Sequence, residues 1–553
     1  MAKQKFNKNK QSKKGGKFQG NSGKFGKPDF DKPKFEETKE VQISEINSDL
    51  SKKSLSVKGV VERIIQTGGP TIFMTSDGTA TLGLKGFDGP GERAFPEINE
   101  GDTIKATITV EEFKGELEGD IKKIAKLDED EHEAYLKEIL KIQKDRANIE
   151  PIPFLVKSEI LDKLKDGFIK AAIEIRLAII QNRPIIVRHH NDTDGYSAGY
   201  ALERAILPLI IKEQGSDKAG WEFFLRAPCA APFYEIDDSI RDAAQSLRNV
   251  AKFSNKMPLV IIADNGSSPE DLLAIKHGKV HGMDFIVIDH HFSDEDVISK
   301  EVLININPFL VGEDGARFSA GMLCAELARL INNVDNLEQI PAMAGLADRI
   351  DIANPETVND YIKIAEKQGY SKELLNDISK VIDFVSAKVR FMEVREYMGA
   401  VFGEPREKQK ALVNLLAPHI KKLEKKGLAI SKANVKLEEI GKTTLQIIEI
   451  DKAFPGFGFY PKPGMCVGMT HDDLQETKKV TNLVSIGLMN TAITIRATDE
   501  ANFSVHELIT FLNKKLPNAF VEGGGHKNAG SINFIPSKKE EVFDLLREFM
   551  KGR

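Results

Sequence analysis

The sequence predicts an α/β protein centred on a doubly wound, mainly parallel sheet. An α+β domain follows it, and a small β-barrel and a basic tail precede it. Three observations predict this. From about residue 184 to 300, apolar strand-like runs alternate with helical patterns, as in a parallel sheet covered on both faces. Residues 43–127 contain only short β-branched runs separated by glycine-rich turns. After about residue 441, strands and helices mix again in a separate unit.

Composition narrows the class. The 553 residues suffice for several domains. No apolar run approaches the roughly 18 residues that a membrane span requires, and the lysine-rich start has no apolar core of a secretory signal after it. Cys229, Cys324 and Cys466 lie far apart with no C-x-x-C, so neither a disulfide framework nor a thiolate zinc site is expected. A reducing, cytoplasmic setting follows as an expectation, with no membrane partner. The formal net charge is −5, although residues 1–35 carry eleven lysines and two aspartates. A basic groove can exist on such a chain, because phosphate binding depends on local potential.

Along the chain, residues 1–40 are poor in aliphatics and rich in Lys, Gly, Asn and Gln. Such a segment buries too little apolar area to offset its ordering entropy, and disorder is expected. Phe6, Phe18, Phe25, Phe30 and Phe35 are interspersed among the lysines, a pattern that suits either a solubilising tail or an arm stacking on bases. Residues 43–127 read as strands, with "SDGT" as a hairpin turn. Their size, strand count and long middle connection resemble an OB-fold. Residues 128–182 read as a helical connector, with "PIP" at 151–153 between two helices. "PIIV", "PLVIIAD" and "DFIVIDHH" read as core strands, followed by helices from about Ser197, in "SSPEDLLAIKHG" and in "SDEDVISK". A helical stretch covers about 317–425, and "YPKPGMCVG" reads as a turn leading into a strand.

The three core strands end in acid or imidazole. The first leads to His189, His190, Asp192 and Asp194, the second to Asp264, and the third to Asp289, His290 and His291. Ligands bind beyond the carboxyl ends of strands in open parallel sheets, so these groups are expected at one edge. Carboxylates crowded without countercharge resist burial. A pair of divalent cations resolves the conflict: carboxylate with imidazole suits Mn²⁺, Mg²⁺ or Zn²⁺, and the lack of thiolate favours the harder ions, with Mn²⁺ expected first and Mg²⁺ next. Asp192 and Asp194 are expected in an extended segment, pointing the same way, each holding one ion. No P-loop pattern is present, so no nucleotide cofactor is expected.

"HNDTDG", "IIADNGSS", "IVIDHH" and "GLADRID" resemble, in order, the four motifs of the DHH phosphoesterase superfamily, and "GGGHKNAGS" resembles the signature of its companion DHHA1 domain. With the OB-like module, the chain is most similar to archaeal RecJ-like exonucleases of the GINS-associated type. The resemblance implies a DHH catalytic domain over 183–370, a helical linker or insertion over 371–440 and a DHHA1 substrate-binding domain over 441–553. It implies that Asp192, with His190, holds one metal, and that Asp194, His290 and Asp348 hold a second, with Asp264 bridging. Which of His189 and His190 is the ligand stays open. It further implies that His291 meets the scissile phosphate and that Asp289 orients a histidine. Arg496, His526 and the backbone of Gly523, Gly524 and Gly525 become candidate substrate contacts, and Arg317 a weaker one. The implied activity is two-metal, single-strand-specific exonuclease action on DNA or RNA in replication or repair, with the GINS complex as a partner. The alternatives are a phosphodiesterase for short oligonucleotides or dinucleotides, and a catalytically weak replisome scaffold.

Overall fold

The computed structural model describes residues 38–113, 116–229, 231–253, 255–293, 295–389, 395–454 and 459–552. Of the tail expected over residues 1–40, residues 1–37, with Phe6, Phe18, Phe25, Phe30 and Phe35, lie outside the described residues.

Strands β1 (Ser54–Gln66), β2 (Thr71–Ser76), β3 (Thr81–Gly86), β4 (Thr103–Phe113) and β5 (Glu116–Lys126) close a barrel in the order β1-β2-β3-β5-β4. Alternation fills it: Ile104, Ala106, Ile108 and Val110 of β4 point inward against Val57, Phe73 and Leu84. The β2–β3 turn runs through Gly78 at φ +83°, and Asp77 accepts from the Thr79 and Ala80 amides at 2.8 and 3.2 Å. The helix Glu129–Ala147 is fastened to the barrel. Tyr135 Oη donates to the Lys58 carbonyl at 2.8 Å, and Arg146 donates to the Gly78 carbonyl at 2.6 Å.

The central sheet comprises β6 (Ile185–His189), β7 (Phe224–Pro228), β8 (Leu259–Ala263), β9 (Asp284–Ile288) and β10 (Ile304–Ile306), all parallel, in the order β10-β9-β8-β6-β7. Its strands read as continuous apolar runs because both faces are covered. Ile185, Val187, Leu259, Ile261, Ile286 and Ile288 face the core made with helices Glu159–Ile180, Thr193–Gln214 and Ala320–Ile331. Ile186, Val260, Ile262, Phe285 and Val287 face the opposite core, covered by helices Ile236–Phe253 and Leu272–Val280. Burying each such side chain contributes about 1.5–3 kcal/mol.

Two strands and two local conformations differ from the sequence reading. β7 carries Arg226 in its middle, a charge that obscures a buried strand; Glu203 neutralises it at 2.5 Å. β10 is only three residues long. The described part of "SDEDVISK" forms turns rather than a helix, with Asp296 accepting from the Ser299 amide at 2.9 Å. The helix expected from Ser197 starts at Thr193.

Helices Lys372–Val389 and Arg406–Asn434 pack on the first core through Ile378, Val381, Ile382, Val413 and Ile420. A second sheet follows: β11 (Val435–Ile440), β12 (Thr443–Glu449), β13 (Leu483–Leu488), β14 (Ala492–Ala497), β15 (Glu522–His526) and β16 (Ala529–Asn533), in the order β11-β12-β13-β14-β16-β15. Helices Val505–Lys515 and Lys539–Lys551 cover one face. "YPKPGMCVG" is not a turn into a strand: Pro463 opens the helix Pro463–Lys478, where its fixed φ and missing N–H suit the first helical position.

Candidate metal centre

Register sets the level at which the functional side chains leave the central sheet. His189 pairs with Ala263, and Ala263 with Ile288. The next residues, His190, Asp264 and Asp289, therefore emerge side by side at one edge. Asp264 takes φ +59°, a conformation Asp tolerates better than most residues.

His189 and His190 separate at this edge. His189 is fully buried against Tyr196, with Nδ1 on the His190 carbonyl at 2.7 Å. Burial, and then Arg226, push its imidazole down to about 3, so it stays neutral. His190 Nδ1 lies 2.9 Å from Asp192 Oδ2 and 3.6 Å from Asp264 Oδ2. Burial opposes charge on His190, yet Asp192 and Asp264 raise its pKa well above the ordinary value. Of the two histidines, His190 is the one whose ring faces the acids.

Asp192 and Asp194 do not share one extended segment. Asp192 caps the helix Thr193–Gln214, its Oδ1 accepting from the Gly195 amide at 2.9 Å. Asp194 sits in the first turn and turns toward a second helix start. Its oxygens accept from the Ala320 and Gly321 amides, each at 3.0 Å. A Cβ on Gly321 would lie 2.8 Å from Asp194 Oδ1 and 2.6 Å from Ala344 Cβ, so only glycine fits.

His290 completes this group. Its Nδ1 meets the Gly315 carbonyl at 3.1 Å, which leaves Nε2 facing three acids. These are Asp264 at 3.3 Å, Asp348 at 3.6 Å and Asp194 at 3.9 Å. Asp289 turns instead to its neighbours. It accepts from the His290 amide and from His291 Nδ1, each at 2.7 Å, and from the Ser267 amide at 3.1 Å. His291 is thereby held with Nε2 free, its Nδ1 3.9 Å from Asp264.

The opposite wall comes from the second sheet. His526, at the end of β15, stacks on His291 with ring centroids 4.8 Å apart, and its Nε2 lies 4.0 Å from Asp348. Burial and the two neighbouring imidazoles hold its pKa well below the ordinary value. Gly523, Gly524 and Gly525 form the edge strand beside it, paired with β16. Gly525 has φ +123°. Arg496 of β14 makes no hydrogen bond among the described residues, and burial lowers its pKa. Arg496, Gly524, Gly525 and His526 line one cleft of about 960 Å³ with His190, Asp192, Asp194, Asp264, His291 and Asp348. Arg317 is not among the lining residues; it pairs with Glu313 at 2.9 Å.

The electrostatics fit a cation pair. Asp194 and Asp264 are buried together. Burial, then Asp264, drive the Asp194 carboxyl well above the usual range. Burial likewise lifts Asp348 to about 6, although His290 opposes it. Asp264 Oδ2 is buried without a hydrogen-bond partner. Three donor triads share Asp264: His190, Asp192 and Asp264; Asp194, Asp264 and His290; and Asp264, Asp289 and His291, in which Asp289 is already taken up by the His291 ring. In each, the donor atoms lie within 4.8 Å of one another. Buried acids and imidazoles of this kind match hard or borderline divalent ions.

Sequence reasoning missed two supporting groups. Asp383, on the helix Lys372–Val389, accepts from the Thr193 amide at 3.1 Å. Lys462 donates to the Asn191 carbonyl at 2.8 Å. Only the folded chain brings residues this distant in sequence together.

Residues 184–347 match the model of the DHH family, N-terminal domain. An uncharacterized protein of Methanocaldococcus jannaschii, MJ1198, is 34% identical over 91% of this chain and 69% of its own length. The chain belongs to the DHH family. A solved structure described as the DHH domain of a member of the s1p family of ribosomal proteins shares 35% identity and a TM-score of 0.70 with it. That match covers 76% of this chain and 99% of the other. RecJ from Thermus thermophilus, solved with Mn²⁺, is 14% identical with a TM-score of 0.50, over 75% of this chain and 60% of RecJ. This last likeness is one of fold: the RecJ-like DHH fold holds here, preceded by the closed barrel.

Proposed function

We propose that this DHH protein is a two-metal phosphodiesterase of the RecJ type, an exonuclease that hydrolyses single-stranded DNA or RNA. The observation that carries the reading is Asp264, placed between His190 and Asp192 on one side and Asp194 and His290 on the other. In this reading His190, Asp192 and Asp264 hold one ion, and Asp194, Asp264, His290 and Asp348 the other, with Mn²⁺ ahead of Mg²⁺. The chemistry supplied by such a bound pair is acidification of a water and neutralisation of charge on the phosphoryl oxygens.

The chain's own residues do the rest. Asp289 fixes the His291 ring so that Nε2 presents to the cleft. Neutral His526 and the Arg496 guanidinium, without a hydrogen bond among the described residues, face the same space from the opposite wall, where Arg496 supplies bidentate donors for a phosphate. The Gly523–Gly525 backbone allows close approach of the strand. The barrel over 43–127, tied to the helical connector 128–182, serves as a second single-strand contact beside the 183–370 catalytic unit. The 371–440 helices support that unit, and 441–553 forms the substrate-facing wall. A place in replication or repair, with the GINS complex as partner in the cytoplasm, extends the family likeness. Among the described residues no helix is long and apolar enough to cross a membrane.

End-labelled DNA and RNA strands incubated with Mn²⁺ or Mg²⁺ test the proposal. The expected result is stepwise shortening of single strands from one end, sparing duplex. Cleavage of dinucleotides at a rate equal to that of long strands, unchanged when residues 1–127 are removed, would support the small-substrate alternative. No hydrolysis with either ion would overturn the enzyme reading.

A further inference from the structure

Lys462 belongs to the segment between two prolines that leads into the helix Pro463–Lys478, on the far wall of the cleft from the central sheet. Its Nζ crosses to the other side. It donates to the Asn191 carbonyl at 2.8 Å and to Ser386 Oγ at 3.1 Å. Asn191 directly precedes Asp192. Ser386 lies on the helix Lys372–Val389, the same helix whose Asp383 receives the Thr193 amide and whose Ser379 carbonyl receives the Thr193 hydroxyl at 2.9 Å. The residues on both sides of Asp192 are therefore held from outside the sheet, one by Lys462 and one by Asp383.

We infer that Lys462 is a positioning residue through which the C-terminal unit sets the geometry of the Asp192 ligand when the cleft is assembled. The inference rests on the proposed metal centre and deepens it. The Oδ2 of a carboxylate on a helix N-cap is only as well placed as its backbone. Asp192 Oδ1 is committed to Gly195 and Oδ2 faces His190 Nδ1 at 2.9 Å, so the contacts at the Asn191 carbonyl and the Thr193 amide fix the backbone from which both oxygens are aimed. The ammonium also favours the charged forms of the Asp192 and Asp383 carboxyls. Lysine suits this place because its compact ammonium can satisfy a carbonyl and a hydroxyl at once. Partners that orient a ligand without touching the ion typically change metal affinity by about 10–100-fold when removed.

The test uses the full chain and Mn²⁺ alone, without substrate. Mn²⁺ binding is measured by electron paramagnetic resonance for wild type, Lys462→Met, Lys462→Arg and Asp264→Asn, with thermal unfolding of each as a check on folding. The expected result is Mn²⁺ affinity about tenfold weaker in Lys462→Met. Lys462→Arg, which keeps the donor, should recover most of it. In a parallel assay on single-stranded DNA, Lys462→Met should lower kcat at limiting Mn²⁺ and regain it at high Mn²⁺, with KM for the strand little changed. Wild-type Mn²⁺ affinity in Lys462→Met would overturn the inference, and a raised KM alone would make Lys462 a strand contact instead. Asp264→Asn separates the two levels. If it too binds Mn²⁺ like wild type, the metal centre itself fails; if it loses Mn²⁺ while Lys462→Met does not, only the role of Lys462 fails.

Discussion

Asp264 meets His190 through one carboxylate oxygen, at 3.6 Å, and His290 through the other, at 3.3 Å. The two histidines come from different strands and belong to different donor triads. One aspartate thus joins both groups of donors, and its Oδ2 is buried with no hydrogen bond among the described residues. A buried unpaired acceptor costs about 1–3 kcal/mol, a cost that a bound cation at this oxygen would offset.

Asp264→Asn is expected to abolish hydrolysis while preserving the fold. Asn tolerates the φ of +59°, and the change removes one of the crowded buried charges. Without metal, the variant should melt at or above the wild-type temperature. Adding Mn²⁺ should stabilise wild type and leave the variant unmoved, a difference that calorimetry reads directly.

Gly321→Ala is expected to damage the centre without touching any ligand by substitution. Its methyl would press on Asp194 Oδ1 and Ala344 Cβ. Overpacking of this kind costs roughly 1–3 kcal/mol. Loss of at least about tenfold in activity should accompany it, since Asp194 must move off the two amides that aim it. Denaturant unfolding and steady-state rates on one preparation check both effects.

Adjacent histidines should behave differently. His190→Ala should leave the melting temperature near wild type and reduce Mn²⁺ affinity. His189→Ala should lower the melting temperature by opening a cavity beside Tyr196, at a cost of about 1–3 kcal/mol. The reverse pattern would exchange their roles.

A pH effect on stability is expected from His471. It is buried, with Nδ1 on Ser485 Oγ at 2.8 Å, and burial followed by Arg496 and Arg349 lowers its pKa to about 4, against the raising effect of Asp472. The folded state therefore binds the proton less readily than the unfolded chain. Its stabilising contribution is full above about pH 6.5 and is lost as pH falls toward 4, by up to roughly 3 kcal/mol. His471→Gln, which keeps a polar partner for Ser485, should flatten this part of the stability–pH curve relative to wild type. Parallel curves would contradict it.

The acid-tipped strands were legible because each apolar run passes straight into an aspartate: Ala263 into Asp264, Ile288 into Asp289. The order of strands in the sheet was not, because β7 hides a charge that only Glu203 explains. Asp192 illustrates a real ambiguity. An aspartate before Thr-Asp-Gly suits both an extended ligand loop and a helix N-cap, and the structure uses one oxygen as the cap and turns the other to His190. Asp348 was visible only through the family motif, since it follows an apolar helix, Gln339–Ala347, with no strand to mark it. Lys462 and Asp383 left no local signal, because their partners lie in Asn191 and Thr193, far away in the chain.

Anomalous scattering from crystals grown with Mn²⁺ tests the central claim most directly. The account predicts two peaks, both adjacent to Asp264, one beside His190 and Asp192 and the other beside Asp194, His290 and Asp348. No peak at this edge, or one that does not touch Asp264, would contradict it.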